Sequence, residues 1–443
     1  MAAGWLAERL ASFGAQPALQ SGAETISYAA LADAVRGWQA RYAGEPGGRV
    51  VVVQGEASPA LLALLMALLD RGDIAVPLAP VESVRAAACA AIAQASRLVH
   101  VASDGSWSEV PGPGNSQHQL YDRVRKSGAG GLVIFTSGST GEPKASLHQA
   151  DRFLEKYRRQ RPALRTIMAP PVDHMAGLDT LFYTLTSGGL LILPTNRTPA
   201  AIADAIALHQ VELLPATPTF LRLLLMETAD LSSLRMITYG SEVMPESTLS
   251  ALRARLPACR LLQKYGTTEF GSPRTRSRED GSLWFRIEQD DFATRVVDGR
   301  LWVRTAQSML GYLNAPPPVE EDGWTCTGDR VEVEGDYIRV LGRDSDLINV
   351  GGHKVYPAEV ENVLLALPNI RDAVVTGETH PLMGQVVSAR LLLQEAEEAG
   401  TLRHRIRAAC AQQLPAYAVP VHIRTVDDTL WNHRFKKSRI AGS

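Results

Sequence analysis

The sequence predicts an α/β protein with a large N-terminal domain, made of two βα subdomains and a small β subdomain, and a small, mobile α+β C-terminal domain. Two observations support this prediction. Between residues 50 and 264, short apolar runs alternate with helix-length segments in two successive series, which is typical of parallel βαβ units. From Gly281 to Glu334 the segments become short and alternate in polarity, as in an antiparallel or barrel-like subdomain.

The first series begins with a buried strand and a long apolar helix. Val50–Gln54 reads VVVVQ, and Pro59–Asp70 is apolar over most of its length, so we expect both segments to be buried. Ser103–Ser127 is polar, contains two Pro-Gly pairs and is predicted to be a connector. The remaining predicted elements are a helix at Val81–Ala95 and strands at Ile74–Pro77, Leu98–Val101 and Leu132–Phe135.

The second series repeats this architecture after residue 150. Its apolar runs have strand length and its intervening segments have helix length, so a second parallel sheet is expected. The predicted strands are Thr166–Ala169, Leu190–Pro194, Glu212–Pro215, Met236–Tyr239 and Arg260–Lys264, and the helices are Arg152–Arg161, Leu178–Thr186, Ala200–Val211, Thr219–Met226 and Thr248–Leu256.

The charged stretch Gly342–Asp346 is the predicted domain boundary, which divides residues 1–342 from residues 343–443. Strands at Leu301–Arg304 and Tyr337–Leu341 precede it and belong to the β subdomain. The smaller domain is predicted to contain helices at Pro357–Leu367 and Thr401–Gln413 and strands at Ala373–Gly377, Gln385–Leu393 and Val421–Val426.

Composition excludes several classes of protein. A formal net charge of −2 lacks the basic excess of nucleic-acid-binding proteins. The longest apolar run, Leu61–Leu69, is too short to span a bilayer, and the first residues predict an amphipathic helix and not a signal peptide. The cysteines show no metal-ligand spacing and indicate reduced thiols. We therefore expect a cytoplasmic protein without a membrane span.

The stretch Leu132–His148, LVIFTSGSTGEPKASLH, carries the first functional motif. Small and hydroxylated residues follow the strand, and they suit close approach to phosphate oxygens. Glu142 and Pro143 separate the last glycine from Lys144, so the pattern differs from a P-loop. By composition alone a surface loop is the simpler interpretation. The candidate phosphate-binding residues are Thr136, Ser137, Gly138, Ser139, Thr140, Gly141 and Lys144.

The string TSGSTGEPK closely resembles the phosphate-binding loop of the adenylate-forming superfamily, which includes acyl- and aryl-CoA synthetases and peptide-synthetase adenylation domains. A second string, Tyr265-Gly266-Thr267-Thr268-Glu269, matches the loop that stacks adenine, contacts the α-phosphate and holds Mg²⁺ through its glutamate. Gly240-Ser241-Glu242 matches the segment whose backbone lines the adenine. The resemblance thus implies a nucleotide site, with Glu269 as a metal ligand.

Two further motifs follow in the order that the superfamily has them. Asp329 matches the residue that accepts the ribose hydroxyls, and Arg343 matches an arginine that reaches the ribose or phosphate. Gly351 and Gly352 resemble the C-domain loop that moves into the site for the thiol half-reaction. Ser345 stands where the superfamily usually has a hinge Asp or Lys.

The C-terminal tail, Asn432–Arg439, resembles the segment that carries the catalytic lysine. Aligning its ends puts Lys436 on that lysine and Phe435 on the family glycine, with Lys437 as the neighbouring alternative. A cation is needed where the carboxylate and the α-phosphate approach each other. His174 matches a histidine of the acid pocket.

The resemblance covers Leu132 to Arg439 and implies an ATP-dependent acid–thiol ligase. An acyl- or aryl-adenylate would form with release of pyrophosphate, and a thiol of coenzyme A or of carrier-protein phosphopantetheine would then accept the acyl group. An aryl or short acyl acid is expected, with Asp173 the nearest candidate for an amine-binding residue. Three alternatives remain at this stage: a non-catalytic nucleotide-binding homologue, a standalone amino-acid-activating enzyme and an unrelated P-loop NTPase.

Overall fold

The computed structural model describes residues 5–136, 143–316, 322–432 and 434–439. No helix within these residues is long and apolar enough to cross a membrane. The helices are α1 (Trp5–Ala11), α2 (Tyr28–Arg41), α3 (Pro59–Asp70), α4 (Ser83–Ile92), α5 (Gln119–Ser127), α6 (Ala150–Arg158), α7 (Met175–Thr186), α8 (Pro199–His209), α9 (Pro218–Leu224), α10 (Glu246–Arg255), α11 (Pro357–Leu365) and α12 (Ala399–Gln413).

The strands form four sheets. In chain order they are β1 (Pro17–Ser21), β2 (Glu24–Ser27), β3 (Val50–Gln54), β4 (Ile74–Leu78), β5 (Arg97–Val101), β6 (Trp107–Pro111), β7 (Gly131–Thr136), β8 (Lys144–Gln149), β9 (Arg165–Ile167), β10 (Leu190–Leu193), β11 (Leu213–Ala216), β12 (Met236–Tyr239), β13 (Arg260–Gln263), β14 (Thr275–Ser277), β15 (Phe285–Ile287), β16 (Phe292–Val297), β17 (Arg300–Thr305), β18 (Gly311–Tyr312), β19 (Thr325–Glu334), β20 (Tyr337–Arg343), β21 (Ile348–Val350), β22 (His353–Val355), β23 (Ile370–His380), β24 (Gly384–Leu393) and β25 (His422–Thr425).

The first sheet has the strand order β18-β8-β7-β4-β3-β5-β6. Its central strands β7, β4, β3 and β5 run parallel, as predicted, whereas β6, β8 and β18 pair antiparallel. The valines of β3 are all buried, because a central parallel strand is covered on both faces. The prediction of a parallel βα unit is therefore confirmed here.

The second sheet has the order β13-β12-β11-β9-β10-β1-β2, and only β2 is antiparallel to its neighbour. The predicted strands of the second series form its larger part. Strands β1 and β2, at residues 17–27, had no sequence prediction. They belong to the second sheet, although the strands that follow them in the chain, β3 to β8, belong to the first sheet.

Helices α2, α3, α6 and α7 contribute, with strands of both parallel sheets, to one large hydrophobic core. Every residue of α3 from Leu61 to Asp70 is buried, which is expected of a helix without a polar face. Its start is defined by Ser58, whose hydroxyl accepts a hydrogen bond from Leu61 N, and by Pro59 in the first turn. The predicted bounds of this helix are confirmed.

The third sheet, β14-β15-β20-β19-β17-β16, is antiparallel throughout and is the predicted β subdomain. The fourth sheet contains β21 to β25 and packs with α11 and α12 around a separate hydrophobic core. This unit is the predicted α+β domain.

The prediction of a connector at Ser103–Ser127 is wrong. Trp107–Pro111 forms β6 at the edge of the first sheet, and Gln119–Ser127 forms α5. An edge strand that is largely exposed needs no apolar alternation, and α5 is anchored by only two buried side chains, Tyr121 and Val124. The pattern of apolar residues was therefore too weak in both segments to predict the strand and the helix.

Replacing Phe182 should destabilise the core between the two parallel sheets. Its ring is fully buried and lies 6.1 Å from that of Phe153 and 5.7 Å from that of Tyr157. We expect Phe182→Ala to cost about 3–5 kcal/mol and Phe182→Leu, which keeps more of the volume, under about 1.5 kcal/mol. The urea concentration at the unfolding midpoint of each variant tests this prediction. Equal midpoints for Phe182→Ala and Phe182→Leu would contradict it.

Candidate active site

A cavity of about 1810 Å³ opens where the second sheet, the third sheet and the C-terminal tail meet. Residues that follow the parallel strands β9, β11, β12 and β13 line one part of it, at the carboxyl ends of these strands, and another part extends to their amino ends at Arg235 and Arg260. Ligands of open α/β sheets bind at the carboxyl ends of the strands. The predicted site residues in its wall are Thr136, Lys144, His174, Gly240, Ser241, Tyr265, Gly266, Thr267, Thr268, Glu269, Arg343 and Lys436.

Lys144 lies at the start of a strand and not of a helix, which distinguishes this loop from a P-loop. Thr136 ends β7 and pairs with Lys144 across the antiparallel β7–β8 ladder. The Lys144 Nζ atom lies 5.5 Å from the centre of the Tyr312 ring. The predicted phosphate ligands Ser137, Gly138, Ser139, Thr140 and Gly141 lie outside the described residues.

The YGTTE loop places a tyrosine and a carboxylate in the cavity wall. The Tyr265 hydroxyl donates to Asp329 Oδ2 at 2.7 Å, and the Arg343 guanidinium lies 3.3 Å from Asp329 Oδ1. Asp329 itself is buried and does not line the cavity. Burial raises its pKa, which Arg343 opposes. The three predicted nucleotide-binding residues are thus joined in one hydrogen-bonded group.

Glu269 accepts a hydrogen bond from the Tyr312 hydroxyl. Its carboxylate lines the cavity on the same side as Lys144, whose Nζ also approaches Tyr312. No group of three or more metal-binding side chains exists among the described residues. A single carboxylate fits Mg²⁺, which takes most of its other ligands from phosphates and water.

His174 is held at the N-terminus of α7. Its Nδ1 accepts a hydrogen bond from Ala176 N at 3.3 Å, and its Nε2 lies 3.2 Å from Lys436 Nζ. The backbone at Pro171, just before His174, packs closely against the first turn of α7. A Cβ atom on Gly177 would lie 1.9 Å from the Pro171 carbonyl oxygen. The predicted pocket histidine and the predicted catalytic lysine therefore meet in the cavity.

The Lys436 side chain is partly buried in the cavity wall. Its pKa is lowered to about 8, chiefly by burial; Glu242 opposes this shift, and Arg434 and Arg343 add to it. Because His174 Nδ1 accepts a hydrogen bond, the neutral ring carries its proton on Nε2. A neutral amine accepts that proton and an ammonium does not, so the contact agrees with the lowered pKa. An anionic ligand would favour the charged form.

Phe435 adopts φ +51° at the position that matches the family glycine. Its carbonyl oxygen accepts a hydrogen bond from Thr217 Oγ1 at 2.7 Å, and its ring packs at 5.0 Å against Phe220. Positive φ is unfavourable for a residue with a Cβ atom, so these contacts hold a conformation that glycine adopts at lower cost.

Lys437 points away from the cavity into the C-terminal domain. Its Nζ donates to Glu361 Oε2 at 2.8 Å and to the Ala373 carbonyl oxygen at 2.9 Å. Arg439 pairs with the same carboxylate. Burial opposes ionisation of Glu361, but Lys437 and Arg439 overcome this and lower its pKa. Of the two neighbouring lysines, only Lys436 reaches the cavity.

Besides Asp329, three more predicted residues are not brought to the cavity wall. Glu242 accepts hydrogen bonds from Thr219 N and Lys437 N, so its carboxylate joins the tail to the second sheet. Gly351 and Gly352 lie at the exposed turn between β21 and β22, with φ of +57° and +89°. Their position depends on the C-terminal domain, which in this arrangement presents Lys436 instead.

Asp173 is also unsuited to the amine-binding role considered for it. It is buried and forms an ion pair with Arg434 at 3.1 Å, and it does not line the cavity. The Arg434 guanidinium of the C-terminal tail is therefore the ionic partner of this carboxylate.

Sequence reasoning missed a charged cluster deep in the cavity. Asp179 Oδ1 accepts hydrogen bonds from Lys156 Nζ at 2.6 Å and from the Tyr157 hydroxyl at 2.7 Å, and Lys264 Nζ lies 4.0 Å from Oδ2. Burial would raise the pKa of Asp179, but Lys156 and Lys264 lower it to about 2. The available signal was the position of Lys264, directly before the YGTTE motif.

Family models match most of the chain. The model described as AMP-binding enzyme matches residues 6–313, and that of the AMP-binding enzyme C-terminal domain matches residues 359–436. An indoleacetate–CoA ligase of Aromatoleum aromaticum is 30% identical over 67% of this chain and 63% of its own length. A 2-succinylbenzoate–CoA ligase of Bacillus velezensis is 30% identical over 69% and 68%. The matched regions thus span about two thirds of these curated relatives.

The fold also matches solved structures along nearly its whole length. An anthranilate–CoA ligase in complex with anthranoyl-AMP superposes with a TM-score of 0.81 at 18% identity, covering 98% of this chain and 95% of that one. At this identity the likeness shows the fold alone.

Substituting the two neighbouring lysines by methionine should have opposite effects on stability. Lys437→Met removes a buried partner of Glu361, and we expect a cost of roughly 1–3 kcal/mol. Lys436→Met removes an amine whose charge is disfavoured by burial, so stability should be unchanged or higher. Thermal unfolding without ligands measures both. A larger loss for Lys436→Met than for Lys437→Met would contradict this assignment.

Proposed function

The chain belongs to the AMP-binding enzymes of the adenylate-forming superfamily, and we propose that it is an ATP-dependent carboxylic acid–thiol ligase. It activates an aryl or acyl acid as the adenylate and then transfers the acyl group to a thiol. The observation that carries this proposal is the partly buried Lys436 amine, which lies 3.2 Å from His174 Nε2 in the wall of the cavity. A cation at this position can stabilise the negative charge of two anionic groups that approach each other in the cavity.

In the first half-reaction, a carboxylate oxygen of the acid attacks the α-phosphorus of ATP. The bond between that phosphorus and the oxygen bridging to the β-phosphate breaks, and pyrophosphate leaves. Lys436, protonated once both anions are bound, stabilises the negative charge that collects between them. His174 limits the position of this amine, and Thr268, which lines the cavity, is proposed to contact the α-phosphate.

The nucleotide is held by residues from four segments. Tyr265, Gly240 and Ser241 are proposed to surround adenine, and Asp329 with Arg343 to bind the ribose. Thr136, Ser137, Ser139, Thr140 and Lys144 would hold the departing phosphates. Glu269 would hold Mg²⁺, which supplies further neutralisation of phosphate charge.

In the second half-reaction, a thiol attacks the acyl carbon and AMP leaves. We propose that, before this attack, the C-terminal domain, residues 343–443, moves about a hinge near Ser345, so that Lys436 leaves and Gly351 and Gly352 enter. Their separation from the cavity in the present arrangement supports this exchange. The names of the curated relatives support coenzyme A as the thiol, and phosphopantetheine on a carrier protein is the further candidate.

The position of Asp173 argues against an amino acid as the substrate, because this buried carboxylate is paired with Arg434 and does not line the cavity. The relatives are named for indoleacetate and 2-succinylbenzoate, which are carboxylic acids without an amino group. An aryl or acyl acid is therefore the proposed class.

The four free cysteines support the expected cytoplasmic setting.

Acid-dependent exchange of labelled pyrophosphate into ATP tests the function. Lys436→Ala should lower exchange by at least about a hundredfold, as removal of one key charge stabiliser typically does, and should spare thioester formation from supplied acyl-adenylate. Lys437→Ala is the matched neighbour and should retain exchange. Absence of exchange with aryl, acyl and amino acids would favour a non-catalytic homologue, and formation of ADP in place of AMP would favour an NTPase.

Adenylation should weaken at alkaline pH. Because Lys436 must be protonated to act, kcat/KM for the acid should fall above pH of about 8, the pKa of this amine in the free protein. Folding stability has the opposite dependence. Between pH 8 and 10.5 the unfolded chain binds a proton that the folded chain does not, so this group makes folding more favourable as pH rises.

Lys436→Arg is the control for this pH dependence. Arginine stays protonated throughout the range, so whatever exchange activity remains should lack the alkaline decline. An unchanged decline in Lys436→Arg, or a parallel fall in the unfolding temperature of the wild type, would contradict the assignment to Lys436.

A further inference from the structure

The partly buried cluster around Asp179 contains more positive charge than its one carboxylate can balance. Lys156 and Tyr157 already donate to Asp179 Oδ1. Lys264 stands 4.0 Å from Oδ2, and Arg161, another cavity-lining cation, is close enough to act on it electrostatically. With Lys156, Lys264 and Arg161 charged and Asp179 ionised, the group carries a net charge of +2. Buried charges of this kind are usually paired.

Lys156 and Lys264 have different surroundings. Lys156 also donates to the Ser272 carbonyl oxygen at 2.9 Å, so it connects α6, α7 and the loop after the YGTTE motif. Lys264 Nζ makes no hydrogen bond with the described residues, and 29% of its side chain is exposed, in the cavity wall. Its charge is thus available to a ligand, whereas that of Lys156 is used within the fold.

The position of Lys264 is suitable for contact with an acid. It follows β13, next to Gly240 at the end of β12, where a Cβ atom on the glycine would lie 3.6 Å from Lys264 Cβ. Along α7, Asp179 lies five residues beyond His174, which corresponds to a rise of about 7.5 Å. His174, Asp179 and Lys264 all line the cavity, so an acid whose carboxylate is at His174 and Lys436 can extend along this wall toward Lys264 through one aromatic ring or a short chain.

We propose that the acid activated here carries a second anionic group, a carboxylate in the simplest case, which Lys264 binds. This inference rests on the proposed ligase function and specifies its substrate class. Lys264 acts as a specificity-determining residue: it pairs with the distal carboxylate while the proximal one is activated. Burial lowers the pKa of Lys264 in the free protein, and an anion at this place would restore its charge.

The test compares acids that differ by one carboxylate: benzoate with isophthalate, 3-benzoylpropionate with 2-succinylbenzoate, and hexanoate with adipate. Acid-dependent AMP formation gives kcat/KM for each. We expect the wild type to favour the diacid in at least one pair by tenfold or more. Lys264→Met should lower that preference by roughly tenfold to a hundredfold, mainly through KM, because a charge-assisted hydrogen bond is lost.

Lys126→Met, on the exposed face of α5, is the matched control and should leave the preference unchanged. Lys264→Gln is a second variant, and an ATP-induced rise in unfolding temperature shows that each variant is folded. Wild-type preference for the monoacid in every pair, or an equal effect of Lys264→Met on both members, would overturn the inference and leave the ligase proposal standing. Failure of every acid to yield AMP would overturn the ligase proposal itself.

Discussion

A positive charge at Lys436 Nζ is costly in this structure, and the arrangement of both domains follows from that cost. The partly buried amine lies near the cations Arg434 and Arg343 and next to His174 Nε2. Anions that enter the cavity would make its charge more favourable. In the proposed reaction, binding of the two negatively charged substrates and protonation of this amine would thus be coupled through electrostatics.

Holding such a group in place requires interactions from outside the cavity. Glu242 contributes from the second sheet and Glu361 from the C-terminal domain, and both bind the residue after Lys436. Thr217 holds the carbonyl group of the residue before it. The lysine is therefore positioned by its neighbours in the chain, while its own side chain remains available for chemistry.

Sequence reasoning predicted the elements whose burial is uniform and failed for those at the edges. Val50–Gln54 and Pro59–Asp70 are apolar because they are enclosed by other elements, and their bounds are confirmed. Trp107–Pro111 is an exposed edge strand, so its residues carry no periodic signal. The motif residues that line the cavity were found by resemblance. Lys264 and Asp179 were not, because their proximity arises only in the folded chain, between the residue after β13 and a side chain of α7.

The contact between Lys437 and Glu361 makes the tail part of the C-terminal domain and not a loose extension of the chain. Lys436 cannot leave the cavity by local fraying without breaking this buried pair. In the proposed movement, the C-terminal domain would carry the amine with it. Removal of the cation and entry of Gly351 and Gly352 would then be one motion, and their order would need no separate signal.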